Sequence, residues 1–224
     1  MVPLLVETAS GTIAYPEGLS LLRRLTQGEL DTVRKTFAET GRVSVPNFLK
    51  DHAAEKFKSA LLDLTCWTKV TAPSDHSVDF AFEQFVPIPP DSSPAEICKV
   101  QELSQLLRRG KFVEMVQYIA GIQEQLDFEF NPTRYGANHY LELHTDELYG
   151  VRRRLAYVIH LTEAWDFDNG GHLLFPDSHG MITGFAPCFN RLVLFKVPQA
   201  HCVTCVSPKA QSFRLTLSGW FYES

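Results

Sequence analysis

His144-Thr145-Asp146 and His201 are the side chains of this sequence whose types could act together on a metal. A histidine followed two places later by a carboxylate can set both groups on one side of a strand end. A second imidazole then completes a facial set of three ligands. Such a set leaves three positions of a six-coordinate metal open. Two suit a chelating 2-oxo acid and one suits dioxygen, which is what a mononuclear iron(II) oxygenase needs. A structural zinc site instead fills four positions with protein groups. The His-x-Asp pair carries little weight alone. With 8 histidines and 26 acidic residues in 224, chance supplies roughly one such pair per chain. An exposed His and Asp beside a turn is then the simpler reading. His201, opening the apolar run Cys202 to Val206, is what turns the pair into a candidate centre.

Arg214 is the second chemical feature. In Phe213 to Tyr222, period-2 alternation puts Arg214, Thr216, Ser218 and Trp220 on one face and Leu215, Leu217 and Phe221 on the other. An arginine aimed into a barrel is costly unless an anion meets it. A bidentate carboxylate is the natural partner, with Ser218 or Thr216 adding a hydrogen bond. The competing reading is an Arg214 that faces solvent or pairs with an internal acid. The metal set tips the balance towards a ligand.

The elements that must position these groups change character along the chain. From about Thr26 to Gln125 the pattern is helical. Thr26 is placed to cap a helix running to Glu39 with Gly41 just beyond. Arg42 to Leu49 reads as a short strand entering a turn. Asp51 is expected to cap a second helix whose apolar face is Ala54, Phe57, Ala60, Leu61 and Leu64. Ser74 to Ser93, with Pro87, Pro89 and Pro90, reads as a loop and a candidate lid. Ser93-Pro94-Ala95-Glu96 is a helix start, and a further helix is expected over Lys111 to Gln125. After Asp127, about eight short strands separated by turn signals lead to Tyr222, with His144 closing one over Asn138 to Leu143. Helices followed by many short strands predict an α+β, mostly β chain: a jelly-roll barrel with supporting N-terminal helices. The expected organisation is one domain over 1–224, with helical support and lid to about 126 and the metal-binding core over 127–224.

A chain of 224 residues that is 45% hydrophobic can bury a sizeable core. A net charge of -5 offers no basic field to a nucleic-acid backbone. Five cysteines, an odd number, read as free thiols in a reducing compartment, so the cytoplasm is the expected location. The apolar run Val2 to Val6 is too short for a signal peptide or a membrane span, so no membrane role is expected. Cys202 and Cys205 lie three apart on a strand and so face opposite sides. His172 and His179 read as surface histidines beside a turn, and His139 and His160 as packed or hydrogen-bonded strand residues. Arg152-Arg153-Arg154 reads as a solvated hairpin turn.

From Tyr135 onward the chain resembles the prolyl-4-hydroxylase-type group of iron(II)/2-oxoglutarate oxygenases. The resemblance is carried by Arg134-Tyr135-Gly136, His144-Thr145-Asp146, Trp165, Gly170-Gly171, Phe189 to Phe195, His201, Val203 and Arg214 to Trp220. Val45 to Leu49 is similar to a segment that opens the domain in that group. The nearest flavour is the small branch related to the ribosomal-protein prolyl hydroxylases. The chain is too short for the second, non-catalytic barrel of its eukaryotic members, so their substrate does not transfer with the resemblance.

The resemblance implies a double-stranded β-helix, cupin-like in shape. It implies iron(II) on His144, Asp146 and His201, and 2-oxoglutarate with its far carboxylate on Arg214. Tyr135 and Tyr157 become candidate donors to that cosubstrate, and Trp220 is expected beside a metal-binding histidine. The implied reaction consumes dioxygen, with ascorbate in support. It hydroxylates an unactivated C–H bond of a prolyl or other amino-acid unit, free or in a peptide, and releases succinate and CO2. Two other readings stay open: a non-catalytic jelly-roll binding module, and a cupin dioxygenase without a 2-oxo acid. The prime substrate and the oligomeric state are not legible.

Overall fold

The computed structural model describes residues 21–72, 78–86, 93–109, 111–148 and 150–223. The run Val2 to Val6 and the prolines at 87, 89 and 90 lie outside the described residues.

Helix α1 (Gln27–Thr40) begins and ends where its sequence says. The Thr26 side chain accepts from the Glu29 N–H and the Glu29 carboxylate takes the Thr26 N–H. At the other end Gly41, at φ 70, returns its N–H to Phe37. Strand β1 (Arg42–Pro46) follows. In α2 (Asp51–Leu62) the cap position belongs to Lys50, which makes no side-chain cap bond. Asp51 is not the cap. It stands in the first turn, where its charge suits the positive end of the helix.

The segment expected as a loop from Ser74 to Ser93 is in part a strand. A hairpin of β2 (Thr68–Thr71) and β3 (Phe80–Gln84) enters the barrel sheet. Phe80, Ala81 and Phe82 are followed by Glu83 and Gln84, so no apolar/polar alternation marks this strand in the sequence. Helix α3 (Pro94–Arg109) starts at the Ser93–Glu96 box, with Glu96 accepting from both the N–H and the hydroxyl of Ser93. Helix α4 (Phe112–Ala120) is shorter than expected because Gly121, at φ 69, turns the chain and closes on Gln117.

Nine strands then complete the sheet: β4 (Leu126–Phe128), β5 (Asn131–Tyr135), β6 (Tyr140–His144), β7 (Arg153–His160), β8 (Leu173–Pro176), β9 (Ile182–Phe185), β10 (Arg191–Lys196), β11 (His201–Val203) and β12 (Arg214–Glu223). All pair antiparallel, in the order β1-β10-β7-β12-β5-β3-β6-β11-β8-β9. Strands β5 and β6 both pair with β3, so the chain between them bulges at Gly136 to His139 and continues along the same partner. The result is a nearly closed, jelly-roll-like barrel, as the helix-then-strand pattern predicted.

Period-2 alternation divides the burial. Leu155, Tyr157 and Ile159 of β7, Leu192 and Leu194 of β10, and Leu215, Leu217 and Phe221 of β12 face the helices and form one core with Phe37, Phe57 and Phe112. Ala156, Val193 and Phe195, on the opposite faces, join Tyr135, Leu173, Phe175 and Val203 in a second core inside the barrel. The helices thus brace one wall of the barrel, and the inward residues of that wall border the site.

Candidate metal and cosubstrate site

His144 ends β6 and His201 begins β11, and the two strands pair so that these residues are direct partners in register. Their ring centroids are 4.2 Å apart. Asp146, just past β6, reaches between them, with Oδ1 3.4 Å from Nε2 of His144 and Oδ2 3.5 Å from Nε2 of His201. One ligand atom from each residue lies within 4.8 Å of the other two, the spacing of a group able to hold a metal ion. Each histidine is oriented through its other nitrogen: Nδ1 of His144 meets the Glu142 carbonyl and Nδ1 of His201 the Gln199 carbonyl, both at 2.8 Å. A proton on Nδ1 leaves the Nε2 lone pair free for a metal.

The local electrostatics favour the ligand form of Asp146 and His201. At His144, burial is outweighed by hydrogen bonding to Asp146 and the Glu142 carbonyl, which raises its pKa. Burial pushes the Asp146 carboxyl up, but contact with His144, His201 and Trp220 outweighs it and holds the group below the ordinary carboxylate value. Burial, ahead of the attraction of Asp146, holds His201 below the usual imidazole value. Metal binding needs a deprotonated carboxylate and neutral rings.

A cavity of about 210 Å³ runs from this trio along the inner face of β12. Arg214 lies at its far end, 2% exposed, with its guanidinium 4.8 Å from the Tyr135 ring. No carboxylate pairs with Arg214 among the described residues, and its Nε is buried without a hydrogen-bond partner. Burial lowers its pKa to about 10 and raises that of Tyr135 to about 12. The guanidinium therefore stays charged and the phenol stays protonated at neutral pH. An isolated buried cation is costly, so an anion from outside the chain is its fitting partner. The backbone makes room on the other side: a Cβ on Gly171 would meet Arg214 Cδ at 3.0 Å.

Thr216 and Ser218 line the same cavity. The Thr216 hydroxyl is 2.6 Å from that of Thr133, its register partner on β5. Tyr157 is a correction. Its ring edge borders the cavity near Gly219, but the ring packs against Phe112, Phe128 and Phe221, and its hydroxyl donates to the Glu129 carbonyl at 2.7 Å. That hydroxyl is committed to the wall, so Tyr157 leaves the cosubstrate set. Trp220 lines the cavity with the trio, its indole N–H facing the Asp146 carboxylate without completing a hydrogen bond.

Arg153 was read as part of a solvated turn. It lies 3.6 Å over the Trp220 ring and donates to the Asp146 carbonyl at 3.2 Å, tying the metal-site loop to β12. Sequence reading also missed Gln84, Glu129 and Asn131, which line the cavity mouth and join through Gln84 Nε2 to Asn131 Oδ1 at 3.2 Å. Asn131 alternates with Thr133 and Tyr135 on β5, the one signal that could have found it. Of the remaining histidines, His179 is exposed, His172 stacks on Phe167, and His139 accepts from the Gly136 N–H.

A candidate metal trio and a buried, unpaired cation share one barrel cavity. Residues 130–222 match the model of the 2OG-Fe(II) oxygenase superfamily, so this part of the barrel is similar to the domain of that family. That family implies iron(II), 2-oxoglutarate and dioxygen, and the donor set and the unpaired arginine fit them.

Among curated relatives, prolyl 3-hydroxylase OGFOD1 of Mus musculus is 33% identical over 112 residues, covering 46% of this chain and 20% of that protein. The Xenopus laevis protein of that name is 30% identical, over 50% of this chain and 23% of its own length. The matched stretch therefore spans about a fifth of those relatives. A Pseudomonas putida prolyl-4-hydroxylase shares the fold with TM-score 0.60 and 20% identity, over 87% of this chain and 99% of its own. A Trichoplax adhaerens prolyl hydroxylase, solved with a hypoxia inducible factor peptide fragment, gives TM-score 0.63 and 15% identity over 87% and 89%. No described helix is long and apolar enough to cross a membrane.

Proposed function

We propose that this protein is an iron(II)- and 2-oxoglutarate-dependent hydroxylase of a prolyl or other amino-acid unit, in which His144, Asp146 and His201 hold the metal. The observation that carries this reading is that the trio shares one cavity with a buried, unpaired Arg214. Arg214 takes the far carboxylate of 2-oxoglutarate, with Tyr135, Thr216 and Ser218 as the hydroxyl groups around it. Iron, dioxygen and 2-oxoglutarate together supply the oxidation: one oxygen atom goes into the substrate C–H bond and the other into succinate, with loss of CO2. The chain's own contribution is to orient three ligands on one side, to keep the acid's far end paired, and to close the barrel interior to water with Phe175, Phe195, Leu173 and Val203.

A prolyl unit within a peptide is the substrate class we favour. The names of the OGFOD1 relatives and the peptide-bound Trichoplax enzyme support it, as does a mouth lined by the hydrogen-bonding Gln84, Glu129 and Asn131. We read the helices before residue 126 and the barrel after it as one working unit, because they share one core. Five free cysteines fit a reducing compartment such as the cytoplasm.

The test is succinate formation by purified protein with iron(II), ascorbate, 2-oxoglutarate and oxygen, beside a His144→Ala control. Succinate that disappears in the variant is the expected result. If there were neither succinate nor an anaerobic metal-to-ligand absorption band with 2-oxoglutarate, the oxygenase reading would give way to a binding module.

A further inference from the structure

Among the described residues, β1, β2, β4 and β9 each pair with a single strand and so leave one edge open. Open edges are normally kept from pairing with other chains by a charge, a proline or a covering element. Strand β1 carries Arg42 and Pro46, β2 carries Lys69 and β4 carries Asp127. Strand β9 (Ile182–Phe185) carries none of these. The sequence holds no charged residue from Gly180 to Asn190, and Met181 and Ile182 are 65% and 62% exposed.

The polar groups of this edge are symmetric. The Asp177 N–H donates to the Met181 carbonyl at 2.9 Å, and Phe175 and Leu173 of β8 face Thr183 and Phe185. Alternation along an antiparallel ladder then turns the N–H and C=O of Ile182 and Gly184 away from β8. Thr183 lies midway between them. A two-fold axis at Thr183 therefore sets Ile182 against the partner's Gly184, and every outward N–H on one edge meets an outward C=O on the other.

The side chains complement each other about the same axis. A Cβ on Gly184 would collide with Leu174 Cδ2, so Leu174 leans over the glycine and leaves a notch at the edge. Ile182 shares that outer face and, across the axis, packs on the partner's Leu174. The edge is also held in shape beforehand: Asp177 Oδ1 accepts from the N–H groups of His179 and Met181 at 2.8 and 2.9 Å in the turn that leads into β9.

We propose that the β9 edge is a self-association surface that joins two copies of this chain in antiparallel fashion about Thr183. An extended peptide could also add to an open edge, but only a second copy brings both the glycine notch and the isoleucine that fills it. The sheet β6-β11-β8-β9 then continues into its partner, so both His144–His201 pairs stand on one continuous sheet.

Sedimentation velocity over a dilution series tests this and needs neither iron nor 2-oxoglutarate, so its failure is separate from that of the hydroxylase reading. The wild type is expected to approach the mass of two chains as concentration rises. Ile182→Lys puts an ammonium into the apolar contact and should raise the dimer Kd roughly 10-fold or more, with the melting temperature of the dilute protein unchanged. Thr183→Cys, on the axis, should cross-link two chains on mild oxidation. Met181→Cys should not, nor should the wild type with its exposed Cys98 and Cys205. A wild type that stays monomeric overturns the proposal. So does association unmoved by Ile182→Lys, or Thr183→Cys that cross-links no better than Met181→Cys.

Discussion

His144 and His201 are direct cross-strand partners, with their ring centroids 4.2 Å apart. Asp146 answers both rings at 3.4 and 3.5 Å, so three like-directed donors await one cation. Iron(II), or zinc(II) as a redox-inert substitute, should therefore raise the melting temperature, because an ion that binds only the folded state stabilises it. At a hundredfold excess over Kd the gain is about 2.7 kcal/mol. A chelator should reverse the rise and His144→Ala should abolish it. Equal melting curves with and without metal would count against the centre.

Arg214→Met should separate stability from binding. It removes a buried charge that no acid in the described chain balances, so the ligand-free protein should melt no lower than wild type. Its affinity for 2-oxoglutarate should fall on the order of 100-fold, the scale of a charge-assisted bidentate contact. Thermal melts and anaerobic band titrations on one preparation check both halves. A large drop in melting temperature would mean that Arg214 is structural.

The two tyrosines should behave oppositely. Tyr157→Phe loses the bond to the Glu129 carbonyl and should cost about 1 kcal/mol of stability with cosubstrate affinity unchanged. Tyr135 has a hydroxyl with no hydrogen bond among the described residues and a ring beneath Arg214. Tyr135→Phe should weaken 2-oxoglutarate while leaving the denaturation midpoint close to wild type. Exchange of these outcomes would restore Tyr157 to the cosubstrate set.

Gly219→Ala should be severe. A Cβ there would lie 2.2 Å from the Glu129 carbonyl oxygen and 3.1 Å from the Tyr157 ring, so β12 or the chain entering β5 must move. Overpacking of this kind costs roughly 1–3 kcal/mol, read as a lowered midpoint in urea.

Glu96 should make stability sensitive to acid. The Thr65 N–H, with the Ser93 hydroxyl and further donors from both residues, overrides burial and holds the carboxyl far below its ordinary value of 4.5. A depressed folded-state pKa stabilises above the unfolded value and is lost as pH falls below it. Glu96→Gln should therefore melt lower than wild type at pH 7, with the gap closing as pH drops from about 4.5 towards 3. A gap independent of pH would show that shape, not charge, is what Glu96 contributes.

Much of this architecture was legible beforehand where the deciding physics is local. The Thr26 cap, the Gly41 stop and the Ser93–Glu96 start are written in neighbouring residues, because a helix end must satisfy its own backbone within one turn. The alternation that sends Arg214, Thr216 and Ser218 inward is equally local. Asp51 was misread because an aspartate beside a helix start suits either the cap or the first turn, and side-chain geometry alone separates the two.

What one sequence determined by itself was the list of chemical types: two imidazoles, a carboxylate and an inward cation on strands that alternate. Tertiary structure decided which of them meet. The β6–β11 register brings His144 to His201, and β3 carries Gln84 into the barrel wall. The two faces of β7 send Tyr157 to the helices and His160 to the floor beside Arg214. A period-2 pattern states that neighbours on a strand part company. Which face meets the cavity depends on strands far away in the chain, and no local signal carries that pairing.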